Sequence, residues 1–178
     1  MSILVAAVTL VGLLALLNLI LMLGVLKRLR EHTERLAYPM GRPSLSKGAQ
    51  VGEFAVMTVD GESLCREQLS VETLVGFFSP TCGPCKVELP RFVEFARTFP
   101  GGRSQVLAAV IGTPESTAEM AAILGPVARV VIEETGGALS SAFQAQATPV
   151  VLTVIQDRHG RLVVQDDDVK LDRPSVAA

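Results

Sequence analysis

Two cysteines separated by two residues carry the most specific chemistry in this sequence. Cys82 and Cys85 enclose Gly83-Pro84, where an apolar stretch gives way to a predicted helix. Free backbone N–H groups and the helix dipole favour an anion at a helix N-terminus, so the pattern predicts a stabilised, nucleophilic thiolate at Cys82. Lys86 adds a nearby positive charge. Because Cys85 lies one turn further along the same side, it can form a disulfide with Cys82.

Other uses of a Cys-x-x-Cys pair fit this sequence less well. Covalent haem attachment requires His directly after the second cysteine, where this chain has Lys86. A structural zinc site requires four ligands, and Cys65, His32 and His159 provide no second pair at ligand spacing. A structural disulfide that closes so short a loop would add little stability. Redox chemistry is therefore favoured, and neither a cofactor nor a metal site is predicted.

Apolar strands alternate with helices on both sides of the cysteines. Residues 73–79 form an apolar run that is followed by Pro80, and residues 86–99 place apolar side chains at helical spacing. Thr113-Pro114 is typical of a helix start. Further strands are predicted at 54–59, 63–65, 106–111, 127–132, 149–155 and 162–165, and further helices at 114–124 and 137–143. This alternation indicates an α/β fold.

A charge-free apolar stretch lies at the N-terminus. Residues 3–26 contain no charged residue, and a helix of that length rises about 36 Å, enough to cross a hydrocarbon core of about 30 Å. Basic residues follow this stretch where a signal peptide would have small residues. We therefore predict a transmembrane anchor at 1–26, a juxtamembrane helix and flexible tether at 27–50, a folded domain at 51–165 and an acidic tail at 166–178.

The overall composition excludes several classes of protein. The chain has 178 residues, of which 49% are hydrophobic, and its formal net charge is −2. It is too apolar for a disordered chain, and it lacks the positive charge of a nucleic-acid-binding protein. Its 3 cysteines are too few for a disulfide scaffold. One membrane segment followed by one domain of ordinary composition accounts for the apolar excess.

The segment FFSPTCGPCKVELP at 77–90 resembles the active-site segment of thioredoxin-like proteins. It is most similar to membrane-anchored thiol–disulfide oxidoreductases of the TlpA and ResA kind. The anchor, the tether, the Val-Gly-Glu-Phe run at 51–54 and the Ser-Pro-Thr-Cys run are also similar to those of the methylamine-utilisation protein MauD. The resemblance covers residues 51–165 and implies a thioredoxin-like α/β fold with one N-terminal transmembrane helix.

The resemblance implies a role for several residues of this sequence. Cys82 takes the position of the nucleophile, and Cys85 takes that of the resolving cysteine. Glu88 takes the position of a carboxylate that exchanges a proton with Cys85. Thr148-Pro149 takes the position of a cis-proline segment that faces the two sulfurs and pairs with an extended substrate. The implied substrate-binding residues are Gly83, Pro84, Thr148 and Pro149.

The sequence departs from this family at several points. Gly76 occupies the position at which thioredoxins commonly carry a buried acid, so proton transfer would depend on Glu88 or on water. No amphipathic helix is evident after residue 165, so one sheet face is expected to be thinly covered, or covered by a partner or the tether. Cys65 is unpaired, and a lone cysteine is most often a small buried hydrophobe. A third redox role or a mixed disulfide is the alternative for Cys65.

The resemblance implies a membrane-tethered thiol–disulfide oxidoreductase that exchanges the Cys82–Cys85 disulfide with partner proteins and acts as a reductant. The expected partners are disulfide-bearing client proteins, an upstream thiol electron donor and the membrane, with no nucleic acid. Two alternatives are a dedicated maturation factor of the MauD type and a non-enzymatic module that delivers metal or haem. The expected location is the cell membrane, in a single pass with the redox domain outside the cytoplasm, although the basic flank at 27–35 favours the opposite orientation.

Overall fold

The computed structural model describes residues 44–172, together with Met1, Val5, Leu10, 12–15 and Asn18. The chain divides into two units, Met1–Gly41 and Arg42–Ala178. In the first unit the described positions after Met1 have helical backbone. Among the residues that can be described, no helix is both long enough and apolar enough to cross a membrane. Most of the predicted anchor and tether, 1–26 and 27–50, lies outside the described residues.

Within the described residues 44–172, the second unit contains seven strands and three helices. The strands are β1 (Ala55–Met57), β2 (Ser63–Cys65), β3 (Thr73–Phe78), β4 (Val106–Ile111), β5 (Arg129–Glu133), β6 (Val150–Gln156) and β7 (Leu162–Asp166). The helices are α1 (Gly83–Thr98), α2 (Pro114–Leu124) and α3 (Ala138–Ala142), with 3-10 turns at Arg66–Gln68 and Gly102–Gln105. The predicted alternation of strands and helices is confirmed. Helix α1 begins three residues earlier than predicted, because a first turn needs no N–H from Pro84.

The arrangement of the strands brings several chain ends to one edge of the central sheet. The sheet has the order β5-β4-β3-β6-β7, and β1 pairs with β2 separately. Strand β3 is parallel to β4, and β4 is parallel to β5, whereas β6 is antiparallel to β3. The carboxyl ends of β3, β4 and β5 and the start of β6 therefore lie at the same edge.

Two apolar layers cover the two faces of this sheet. On one face, which we call the α1 face, α1 and α2 pack over the central strands, and the opposite α3 face is covered by α3 and residues 45–69. Side chains alternate along β3, so Phe77 stacks near Phe143 on the α3 face and Phe78 contacts Phe92 on the α1 face. Burying one such ring stabilises the fold by about 1.5–3 kcal/mol.

The α1 face is less completely covered beside β6 and β7. Val151, Ile155 and Val163 are only half-buried there. The chain after β7 forms no helix as far as residue 172, and instead Val169 and Leu171 pack against the apolar cluster under α1. A short C-terminal segment therefore covers part of this face, in agreement with the expectation of thin cover.

Candidate active site

The two cysteines lie where β3 ends and α1 begins, as predicted. The N–H of Cys82 donates to the carbonyl of Ser79 at 3.1 Å, which turns the chain between strand and helix. Cys82 is the N-cap residue of α1, and its Sγ accepts the N–H of Cys85 at 3.2 Å. A donor aimed at sulfur in this way stabilises the thiolate form over the thiol. The pair is joined as a disulfide, with the two Cα atoms 5.3 Å apart.

Burial distinguishes the two sulfurs. Cys82 is half-buried, and its neighbours Gly83 and Pro84 are exposed. Cys85 is 0% exposed and belongs to the apolar cluster that contains Leu89 and Phe92. Of the two, Cys82 is therefore the cysteine that lies at the surface. The roles of nucleophile for Cys82 and resolving cysteine for Cys85 stay predictions.

The space around Gly76, on the α1 face of β3, is filled by aromatic rings. A Cβ at Gly76 would lie 2.7 Å from Cε2 of Phe78 and 2.8 Å from Cε2 of Phe92. Both rings are fully buried and meet edge to face, with their centroids 5.0 Å apart. A carboxylate side chain at this position would overlap these rings. The packing of these rings therefore leaves no room for an acidic side chain at position 76.

The Thr148-Pro149 peptide bond is cis, as the resemblance implied. The carbonyl oxygen of Thr148 lies 3.1 Å from Sγ of Cys82, and a reduced Cys82 thiol would donate to it. The two residues are half-buried and precede β6 at the edge where β3 ends. Thr148, Pro149 and Cys82 are thus brought together, although they are far apart in the sequence.

Glu88 lies on α1, one turn after Cys85, and its side chain is 31% exposed. Its carboxylate lies 3.7 Å from Nη1 of Arg91, and the same nitrogen lies 3.8 Å from Asp172 of the C-terminal segment. In this disulfide-bonded state no hydrogen bond joins the carboxylate to either cysteine among the described residues. Only its place on the same helix, three residues after Cys85, relates Glu88 to the sulfurs.

The third cysteine lies away from this arrangement in the sequence and takes no part in the disulfide. Cys65 ends β2 as a free, half-buried thiol, so it is more exposed than the predicted buried hydrophobe. Its backbone N–H donates to Gln68 Oε1 at 2.9 Å, which helps to start the 3-10 turn. In the part of the chain that the structure describes, no group of three or more His, Cys, Asp or Glu could hold a metal ion.

The sequence interpretation missed the loop between α3 and Pro149. Gln144 has a φ of 51°, a left-handed conformation that residues other than glycine rarely adopt. Gln144 and Gln146 are exposed and precede Thr148 in the same loop. No motif marks them, and only their closeness to Pro149 in the sequence could have drawn attention to them.

Comparison with known proteins shows the fold. No family model matches, and no curated protein matches the sequence. The thioredoxin domain of a thiol-disulfide oxidoreductase from Bacteroides vulgatus superposes with a TM-score of 0.53 at 16% identity, over 68% of this chain and 88% of that chain. A thiol:disulfide interchange protein from a Bacteroides species superposes with a TM-score of 0.55 at 14% identity, over 72% and 84%.

These likenesses, together with the strand order and the cis-proline, define a thioredoxin-like α/β fold. The predicted fold class is therefore confirmed for the domain. The same fold carries the thiol–disulfide chemistry named for both solved structures.

Proposed function

We propose that this chain is a thiol–disulfide oxidoreductase that exchanges its Cys82–Cys85 disulfide with partner proteins. The observation that carries the proposal is the pairing of an accessible Cys82, whose sulfur accepts a helix N–H, with a buried Cys85 bonded to it. The thiol–disulfide oxidoreductases with the same fold support this assignment.

The proposed reduction of a client disulfide proceeds in two exchanges. The Cys82 thiolate attacks one client sulfur, which forms a mixed disulfide and releases the other client sulfur as a thiolate. Cys85 then loses its proton and attacks Cys82 Sγ, so the remaining client sulfur departs as a thiolate and takes up a proton. Two electrons pass to the client, and the Cys82–Cys85 disulfide must then be reduced by an upstream thiol donor.

The surface around Cys82 suits a polypeptide client. Gly83 and Pro84, which follow Cys82 in the chain, are exposed, and further along α1 Val87 is 63% exposed. The backbone of Thr148 borders the opposite side of Cys82. We infer that an extended client segment pairs with Thr148 while Gly83 and Pro84 contact it from the helix side.

Glu88 is proposed to accept the proton of Cys85 in the second exchange. Residues three apart on a helix are neighbours on its surface, which places the carboxylate on the side of Cys85. The carboxylate is only half-exposed and makes a single weak ion pair with Arg91. A small side-chain movement would therefore free it to approach the thiol.

The test of the activity uses three single-cysteine substitutions in the full-length chain. Cys82→Ser should lower the rate of disulfide reduction by at least about 1000-fold, because it removes the nucleophile. Cys65→Ser is the matched control and should reduce disulfides like the unsubstituted chain. Cys85→Ser should retain clients as mixed disulfides on Cys82. Full activity in Cys82→Ser, or equal losses in Cys82→Ser and Cys65→Ser, would contradict the proposal.

The number of clients retained by the Cys85→Ser chain also distinguishes a broad reductant from a dedicated maturation factor. A single dominant client on the Cys85→Ser chain would favour a maturation factor of the MauD type, whereas many clients would favour a broad reductant. Measurement of the reduction potential of the Cys82–Cys85 pair tests the direction of electron flow, since a strongly negative value supports a reductant.

We further propose that residues 1–26 anchor the domain in the cell membrane and that the domain faces away from the cytoplasm. The charge-free stretch supports the anchor, and the need of a disulfide enzyme for an oxidising compartment supports the orientation. Retention of the chain in alkaline-washed membranes tests the anchor. Alkaline phosphatase fused after Ala178 would be active only in the proposed orientation.

A further inference from the structure

A cleft of about 500 Å³ opens beside the loop that leads to Pro149. Its lining residues are Thr135, Gly136, Ser140, Ser141, Gln144, Ala145 and Gln146. The volume falls within the range of protein sites that hold small ligands or short peptide segments. The proposed exchange reaction uses none of these side chains.

The cleft lies at the sheet edge that carries the cysteines. Ile111 at the end of β4 pairs with Glu133 at the end of β5, so the loop that begins after Glu133 leaves the sheet at the same edge as Cys82. Gln146 precedes Thr148 by two residues, at most about 7 Å of chain. Since the Thr148 carbonyl lies 3.1 Å from the Cys82 sulfur, a client segment bound at that sulfur can extend into the cleft.

The chemistry of the lining is uncharged and rich in amides. The nearby carboxylate of Glu133 is already occupied, because it accepts the N–H groups of Leu139 and Ser140 at 3.0 and 2.8 Å and also the Ser140 hydroxyl. The exposed side-chain amides of Gln144 and Gln146 have no hydrogen-bond partner among the described residues. Each amide presents both a donor and an acceptor, which is the hydrogen-bonding pattern of a peptide group.

The backbone holds Gln144 in position for this role. The Ala145 N–H donates to Ser140 at 2.8 Å and closes the left-handed turn in which Gln144 lies. Two carbonyls just before Gln144 accept hydrogen bonds from outside the helix. The Phe143 carbonyl accepts the N–H of Leu45 at 3.1 Å, and the Ala142 carbonyl accepts that of Gly52 at 2.9 Å. Glycine would adopt this turn without steric cost, so the glutamine side chain is present at an energetic disadvantage.

We propose that this cleft binds the polypeptide backbone of the client beside its reacting cysteine, through the side-chain amides of Gln144 and Gln146. The inference rests on the proposed exchange reaction at Cys82 and assigns its substrate class as uncharged extended polypeptide. Among the described residues that line the cleft there is no cationic side chain to form an ion pair with an anionic small thiol.

The test compares two disulfide substrates on the full-length chain. One is a peptide with uncharged residues around its disulfide, and the other is a small aromatic disulfide that is too short to reach the cleft. Gln144→Gly preserves the left-handed turn while it removes the side chain, and it is combined with Gln146→Ala. The ratio of kcat/KM for the peptide to kcat/KM for the small disulfide should fall about 5- to 30-fold in the double variant, as expected for two lost hydrogen bonds.

A matched control and a redox-inert ligand make the result specific. Gln165→Ala removes an exposed glutamine of β7 that does not line the cleft, and it should leave the ratio unchanged. The same peptide with serine in place of cysteine should bind the unsubstituted chain in fluorescence anisotropy and bind the double variant about 5-fold or more weakly. An unchanged ratio in the double variant, or equal binding of the serine peptide to both chains, would overturn the inference. Failure of the unsubstituted chain to reduce either disulfide would instead overturn the proposed exchange reaction, while the anisotropy result still decides the cleft.

Discussion

Replacement of Gly76 by alanine tests the description of the space under the active-site helix. The added Cβ would meet Phe78 at 2.7 Å and Phe92 at 2.8 and 2.9 Å, which is closer than carbon atoms pack. Both rings are fully buried, and forcing an extra methyl group into such a core costs about 1–3 kcal/mol. Alanine in a strand recovers about 0.5–1 kcal/mol relative to glycine. We therefore expect Gly76→Ala to lower the free energy of unfolding by about 1.5 kcal/mol.

Urea unfolding of the full-length chain, followed by circular dichroism, measures this loss. With a slope of about 1.5 kcal/mol per molar urea, the midpoint should fall by about 1 M. A second variant, Phe92→Leu, removes two of the three close contacts and gives the Phe78 ring room to tilt. Alone it should destabilise the fold by about 1–2 kcal/mol, because it leaves a cavity.

The double variant decides whether the proposed overlap is the cause. If the Cβ and the ring compete for one space, Gly76→Ala and Phe92→Leu together should cost at least about 0.5 kcal/mol less than the sum of their separate effects. Gly136→Ala gives a contrast, since its Cβ would meet no atom within 4 Å and its penalty comes from a φ of 78° alone. Additive effects of the substitutions at positions 76 and 92, or a stabilised Gly76→Ala chain, would refute the packing argument.

Two further predictions concern ionisable groups. Glu88→Gln should slow the resolution of a mixed disulfide by Cys85 at least about tenfold and flatten its pH dependence, measured by rapid quenching, whereas Glu94→Gln on the same helix should not. Asp157 has a pKa lowered to about 2, chiefly because it accepts the backbone N–H of Arg161. A depressed pKa adds stability at pH values above the unfolded pKa of 3.8, and this stability is lost as the pH falls towards the folded pKa. The urea midpoint of the unsubstituted chain should therefore fall between pH 4 and 2, and the midpoint of the Asp157→Asn chain should fall less steeply over the same range.

Most of the fold could be predicted because its elements carry strong local patterns. Strand β4 and helix α2 have the predicted bounds, since an unbroken apolar run and a Thr-Pro helix start leave little ambiguity. Strand β5 begins at Arg129, two residues after the predicted start, although β-propensity continues back to Val127. The strand begins where pairing with β4 begins, and pairing is a property of the sheet that no local pattern contains.

The site divides in the same way between local and tertiary causes. The Cys82 and Cys85 geometry follows from a helix start and could be predicted from spacing alone. The approach of Thr148 to Cys82 depends on the order of strands β3 and β6, so only the family resemblance indicated it. No glycine marks the left-handed turn at Gln144. Residues distant in the sequence donate hydrogen bonds to the carbonyls just before it and so help to hold the turn. Sequence patterns cannot reveal a conformation that the rest of the fold imposes.

The packing at Gly76 also constrains how Cys85 can lose its proton. Aromatic rings fill the space around Gly76, so an acidic side chain has no room at that position. In the first two turns of α1, the ionisable side chains besides the cysteine are Lys86 and Glu88, and an ammonium group only donates hydrogen bonds whereas a carboxylate accepts them. We therefore expect Glu88 to take the proton of the buried thiol on the helix side while the client is still bonded to Cys82.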